Sequence, residues 1–202
     1  MNEDVIRKAK EYIEKAFSET DKAHDHLHSL RVYENARIIL QDYPQAIPEI
    51  VLLSALFHDL SDKKLFPDDS LLVGWFREVP SEYESEILTV VSEVGFSKKK
   101  SPSTIESAIV QDADLLDAIG AIGIARCFTF GAHLGRPIYS PTGERDSLMH
   151  FDEKLFHIKG IMNTPVGRAM AEKRDAFMHA FIREFREEVS CSVERDGEEI
   201  EK

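Results

Sequence analysis

Apolar residues recur at helical spacing along almost the whole chain, and that periodicity leaves room for little besides a bundle of helices. Val5, Ala9, Tyr12, Ile13, Ala16 and Phe17 follow the i, i+4, i+7, i+8 rhythm of one helix face. Further series run through Leu30, Tyr33 and Leu40, through residues 49–60, and through Ile87, Val90, Val91 and Val94. The theme continues in Ile105, Ala108, Ile109, Leu116, Ile119 and Ile122, then Phe151, Leu155, Ile158 and Met162, and finally Met170, Phe177, Phe181 and Phe185. No stretch shows the alternation of a half-buried strand, so the expected fold class is all-α.

Punctuation agrees with this division. Ser81-x-x-Glu84 and Ser103-x-x-Glu106 have the form of capping boxes, and Thr164-Pro165 reads as an N-cap followed by proline at the first helical position. Pro44, Pro48, Pro67, Pro80 and Pro102 fall between the periodic segments, while residues 131–143 form one long loop. The 202 residues contain no internal repeat and no interdomain linker. A compact single-domain helical bundle over residues 1–193 is expected, followed by an acidic, frayed tail at 194–202.

Composition excludes several function classes. With 25 Lys and Arg against 37 Asp and Glu, the net charge is −12, which repels phosphate backbones and anionic membranes. No nucleic-acid backbone binding and no membrane partner are expected. The longest apolar runs fall well short of the roughly 20 residues a membrane helix needs, and MNEDVIRKAKEY holds no apolar signal core. Cys127 and Cys191 offer no CxxC spacing. The expected location is the cytoplasm.

The chemistry lies where polar groups interrupt apolar helices. His58-Asp59 closes the run Leu52-Leu53-Ser54-Ala55-Leu56-Phe57, and Asp112, Asp114 and Asp117 are set among core residues. Buried imidazoles and carboxylates cost several kcal/mol unless they are hydrogen-bonded or bind a metal. One divalent metal site answers both problems, with His28, His58, Asp59 and Asp114 converging from three helices. At this level His24 and His26 compete with His28, and Asp112 and Asp117 with Asp114. Mixed His/Asp ligation suits Mn²⁺, Mg²⁺, Co²⁺, Ni²⁺ or Fe²⁺ better than thiolate-bound zinc. At most four protein ligands leave an octahedral ion open to water and a phosphate oxygen, as hydrolysis requires.

His28, then His58-Asp59, then Asp114 resembles the H…HD…D signature of HD-domain phosphohydrolases. HDHLHSLRV, ALFHDLSDKK, IVQDADLLDAIGAIGIAR and HFDEKLFHIKGIMNTPVGRAMAEKR are similar to segments of its small stand-alone bacterial branch, so the resemblance covers about residues 24–185. It singles out His28, before Leu30-Arg31-Val32, as first ligand, and Asp114, in Ala-Asp-x-Leu, as last. It implies an HD-type helical bundle that hydrolyses phosphoester or pyrophosphate bonds by attack of a metal-activated water. A nucleotide is the substrate it implies.

Further candidates surround these four. Asp62, three residues past the pair, is positioned to act as general base, as in similar enzymes; Asp59 belongs to the catalytic set as well. Lys64 matches a lysine common in this branch and would bind substrate phosphate. Arg31 shares a helical face with His28, and Lys154 is a further phosphate-binding candidate. Arg126, Arg136 and Arg145 follow these. Gly120 and Gly123 read as close helix packing, since no strand precedes them as in a phosphate loop. A non-catalytic, metal-containing nucleotide or signal binder is the alternative. A di-iron oxygenase lacks the extra histidines, because none lies between Leu60 and Val110. A homodimer is left open.

Overall fold

The computed structural model describes residues 3–18, 26–63, 65–66, 68–95, 100–142 and 144–197. Among them there is no strand, as the periodicity predicts. The helices are α1 (Glu3–Phe17), α2 (His26–Leu40), α3 (Pro48–Phe57), α4 (Ser70–Glu78), α5 (Glu84–Glu93), α6 (Ile105–Asp117), α7 (Gly120–His133), α8 (Met149–Glu153) and α9 (Pro165–Gly197). Short 3-10 helices cover His58–Ser61 and Leu155–Ile161.

α3 is the axis of the bundle. Every residue from Ile50 to Phe57 is buried, the condition for a helix that is apolar all round. α1, α2, α5 and α6 pack around it. Pro48 is its first residue rather than part of the preceding loop, since an N1 proline loses no helical hydrogen bond. The preceding amide, that of Ile47, donates 3.0 Å to the Glu106 carboxylate, so α6 caps the start of α3. Below the far end of α3, Trp75 meets Phe57 and Tyr12 edge-on at centroid separations of 5.1 and 5.4 Å.

Several expectations are corrected by one residue or one turn. The hydroxyl that caps α6 is Thr104, which accepts from the Ser107 amide, not Ser103. Glu106, the acid of that supposed box, is committed to Ile47. Ser81 does not cap α5, whose N-cap is Tyr83; its hydroxyl donates to Glu49 and accepts from the Tyr83 amide. Phe177 is 53% exposed, because the buried stripe of α9 runs through Ala171, Asp175, Met178 and Ile182 and leaves position 177 about 100° away. Ile122, expected in the core, is 43% exposed. α9 continues to Gly197, and of the stretch expected as a tail, residues 198–202 lie outside those described.

Gly120 and Gly123 are packing residues. Gly120 has φ of 76° and lies under the Arg174 side chain, and a Cβ on Gly123 would collide with the Ala118 backbone. The tight α6–α7 corner follows from them. No single helix among the described residues is long and apolar enough to cross a membrane.

α9 is locked to α6 by Asp112, which is fully buried. Its carboxylate accepts from the Asn163 and Thr164 amides at 2.8 and 2.7 Å, from the Asn163 side chain at 3.0 Å and from the Thr164 hydroxyl at 2.7 Å. Thr164 in turn accepts from the Gly167 amide at 2.9 Å, the expected N-cap. Asp112→Ala would orphan these donors and is expected to lower the unfolding free energy by roughly 3 kcal/mol or more, against about 1–2 kcal/mol for Thr164→Ala. Urea denaturation of the two variants measures the difference, and an Asp112→Ala midpoint equal to that of the parent would contradict the lock.

Candidate metal centre

Three separate elements deliver four side chains to one point. His28 stands in the first turn of α2, His58 and Asp59 open the 3-10 helix that continues α3, and Asp114 lies in α6. The 3-10 turn ends after Ser61, where Asp62 leaves helical geometry at ψ 112° and its amide donates back to the Asp59 carbonyl at 3.0 Å. Asp59 thereby sits at the open edge of the core instead of being carried on into it.

The donor atoms are close. The Nε2 atoms of His28 and His58 are 3.1 Å apart. Asp59 oxygens lie 3.5 Å from the first and 3.3 Å from the second, and an Asp114 oxygen lies 3.4 and 3.8 Å from them. Two neighbouring ligands at about 2.1 Å from an octahedral ion are themselves about 3 Å apart. His28, His58 and Asp114 thus each offer a donor atom within 4.8 Å of the other two, a set that could hold a divalent cation, with Asp59 oxygens beside both imidazoles. His58 is enclosed, whereas Asp59, Asp114 and His28 keep part of their surface open. A cation held there would face solvent on one side, as a reactive site requires and a purely structural one does not.

Both imidazoles are oriented from behind. His58 Nδ1 lies 2.9 Å from the Ala55 carbonyl, which only an N–H can satisfy, so Nε2 carries the lone pair in the neutral ring. His28 Nδ1 lies 2.7 Å from a carboxylate oxygen of Asp117, with the same result. Arg126 Nη1 lies 3.0 Å from that Nδ1; since the shorter carboxylate contact fixes a proton on the nitrogen, the guanidinium bonds to Asp117, at 2.6 Å. Arg31 grips the other side of Asp117 at 2.6 and 3.0 Å. Burial raises the Asp117 carboxyl, but hydrogen bonds from His28 and Arg31 overcome it and hold the group well below the usual range.

The acids left open by the sequence separate here. Asp112 serves α9, Asp117 holds His28, and Asp114 belongs to the cluster. His26 borders a groove with α1 residues Arg7, Lys10 and Glu14, away from the cluster. His24 and Lys64 lie outside the described residues. Asp62 is half-buried at the end of the 3-10 helix. Lys154 is half-buried: burial holds its ammonium below the usual range, and the charge on Asp114 works the other way. Arg31 is placed on Asp117 rather than in open solvent. Arg126, which follows Arg31 and Lys154 among the sequence candidates, reaches Asp117 from α7.

Comparison with known proteins agrees with this geometry. The HD domain family model matches residues 26–119, which hold all four side chains. The YpgQ protein of Bacillus subtilis is 34% identical over 192 residues, covering 88% of this chain and 90% of YpgQ. The chain belongs to the HD-domain family. Among solved structures, the Lin1889 protein of Listeria innocua is 36% identical with a TM-score of 0.78, covering 94% of this chain and 98% of its own. An HD-superfamily hydrolase of Bacillus thuringiensis is 32% identical with a TM-score of 0.79, covering 93% and 98%. YpgQ has been crystallised in complex with ADP, and that structure is 30% identical with a TM-score of 0.74, covering 91% and 97%.

Protonation of His28 makes cation binding depend on pH. Burial works against its charge, but hydrogen bonds to Asp114 and Asp117 and the charges of Asp114 and Asp59 prevail and lift the imidazole to about 9. In the metal-free HD domain the stabilisation this gives is complete below pH 6.5 and lost as pH rises through about 9. A cation at Nε2 must displace that proton, so its apparent affinity should rise over the same window with release of one proton. Calorimetry with Mn²⁺ in two buffers of different ionisation heat measures the release; an affinity flat between pH 6.5 and 9 would contradict it.

Proposed function

We propose that this HD-domain protein is a metal-dependent hydrolase of phosphoester or pyrophosphate bonds in nucleotides. The observation that carries the reading is the convergence of His28, His58, Asp59 and Asp114 on one partly open point, with Lys154, Arg31 and Arg126 gathered around it. Support comes also from the similarity to an HD-superfamily hydrolase and to YpgQ, which binds ADP. His28, His58, Asp59 and Asp114 would hold a divalent ion, which would supply Lewis acidity for attack of water on a phosphoryl group. Mn²⁺, Mg²⁺, Co²⁺, Ni²⁺ and Fe²⁺ all suit the His/Asp donor set.

The protein's own groups have separable tasks. Asp62, three residues past Asp59, accepts a proton from the attacking water. Lys154 offsets charge on the phosphate; burial holds its ammonium below the usual range, and the charge of Asp114 works the other way. Lys64 and Arg31 complete the substrate-binding set. Arg31 holds Asp117 while a third of its side-chain surface stays exposed. In a chain of net charge −12, these cations make the site approachable to an anion at all.

The test is phosphate and pyrophosphate release from a panel of nucleotides by metal-stripped protein resupplied with each ion in turn. Turnover should require the ion and vanish in Asp59→Ala. Asp62→Asn should lower kcat by roughly 10²–10⁴ with metal content unchanged, the range of a lost general base. Tight metal and nucleotide binding with no turnover by any ion would instead favour the non-catalytic binder.

A further inference from the structure

Asp114 stands in the last turn of α6, which ends at Asp117. The carbonyls of a last turn have no partner within their own helix, so such a turn frays unless other groups hold it. The chain that follows offers little: the Ala118 amide donates to the Leu115 carbonyl at 3.2 Å, and the Ile119 amide reaches the Leu116 carbonyl only at 3.4 Å. A carboxylate on so loose an end would have no fixed place relative to His28 and His58.

The hold comes from α9. Arg174 Nη1 donates to the Leu116 carbonyl, and Nη2 donates to Asn35 Oδ1 at 2.8 Å. Asn35, buried in α2, passes the contact on, its side-chain amide donating to the Ala113 carbonyl at 3.1 Å. Ala113 and Leu116 bracket Asp114, so one guanidinium governs the backbone on both sides of it. At Asp112 the side chain is gripped by Asn163 and Thr164 at the start of α9. α9 thus holds this stretch of α6 before and after position 114. Gly120 leaves room for the Arg174 stem, since a Cβ there would stand 3.0 Å from its Cγ. A positive group also suits a helix C-terminus, where carbonyl dipoles concentrate negative charge. Burial opposes the charge of the half-buried guanidinium, and Asp117 favours it.

We propose that Arg174 is a positioning residue for the metal centre: it holds the last turn of α6 so that Asp114 meets a bound cation together with His28, His58 and Asp59. It acts through the α6 backbone and Asn35. The inference rests on the four-residue centre of the hydrolase reading above. Position and charge pull in opposite directions here. A bound cation is repelled by a nearby guanidinium, so a residue acting only through its charge would, when removed, let the cation bind more tightly. A residue that fixes Asp114 would, when removed, let it bind more weakly. A merely structural contact would change stability and leave cation affinity alone.

The experiment is a calorimetric titration of Mn²⁺ into the full chain, its variants Arg174→Gln, Arg174→Lys and Asn35→Ala, and the comparison variant Ile182→Ala. Ile182 is a buried core residue about two turns further along α9, so its truncation lowers stability without touching the α6 end. Thermal melting first confirms that each variant is folded. Arg174→Gln and Asn35→Ala should each weaken Mn²⁺ at least about tenfold, the usual scale for groups that orient metal ligands. Their double variant should lose less than the product of the two, because both belong to one network. Arg174→Lys keeps the charge without the two-pronged geometry and should bind more weakly than the parent, so it carries the test if Arg174→Gln does not fold. The visible spectrum of bound Co²⁺ should change in the Arg174 variants and match the parent in Ile182→Ala. Unchanged or tighter Mn²⁺ binding in the Arg174 variants, or equal weakening in Ile182→Ala, overturns the proposal. If Mn²⁺ binding behaves as expected and no nucleotide is hydrolysed with any metal, the hydrolase reading falls and the positioning role stands. If metal-dependent hydrolysis is present and the Arg174 variants bind Mn²⁺ as the parent does, the positioning proposal falls alone.

Discussion

A carboxylate that is 2% exposed holds three helices in register around the metal centre. Asp117 receives Arg31 from α2, Arg126 from α7 and the Nδ1 proton of His28. Its charge would be costly in that position without partners, and two guanidiniums offset that cost directly. The geometry of the rest follows. With Asp117 fixed, His28 can present only Nε2 to the cluster, α2 cannot rotate against α6, and the glycine corner after α6 brings α7 close enough to supply Arg126. Arg174 completes the arrangement from α9, donating to the Leu116 carbonyl and, at 2.8 Å, to the Asn35 side chain.

α6 shows how little sequence separates unlike tasks. Asp112, Asp114 and Asp117 lie within six residues and point to three different recipients: the start of α9, the metal centre and the back of His28. Successive helical positions turn by about 100°, so an offset of two sends Asp112 to the opposite side from Asp114, while an offset of three keeps Asp117 near it. The same arithmetic explains why position 177 of α9 is exposed while 178 is buried.

Much of this was legible before any coordinates. The helical period gave the class, and the His58-Asp59 pair at the end of an apolar run marked the site, because burial there demanded compensation. The resemblance to HD-domain proteins then selected among neighbouring histidines and acids. Harder to read were cap positions, which shifted from Ser103 to Thr104 because adjacent hydroxyl residues offer the backbone nearly equivalent caps. Arg31 and Arg126 were also hard to place. Which anion a long flexible cation will meet depends on the crossing of α2, α6 and α7, and no local pattern encodes that crossing.

The His58-Asp59 pair sits at the end of α3, the helix buried on every side. Densely packed interiors transmit displacement instead of absorbing it. A methylene lost or gained beneath Leu53 or Leu56 would therefore be felt as a shift of His58 and Asp59 as well as a change in stability. For this chain the packing of the hydrophobic core therefore also sets where His58 and Asp59 stand.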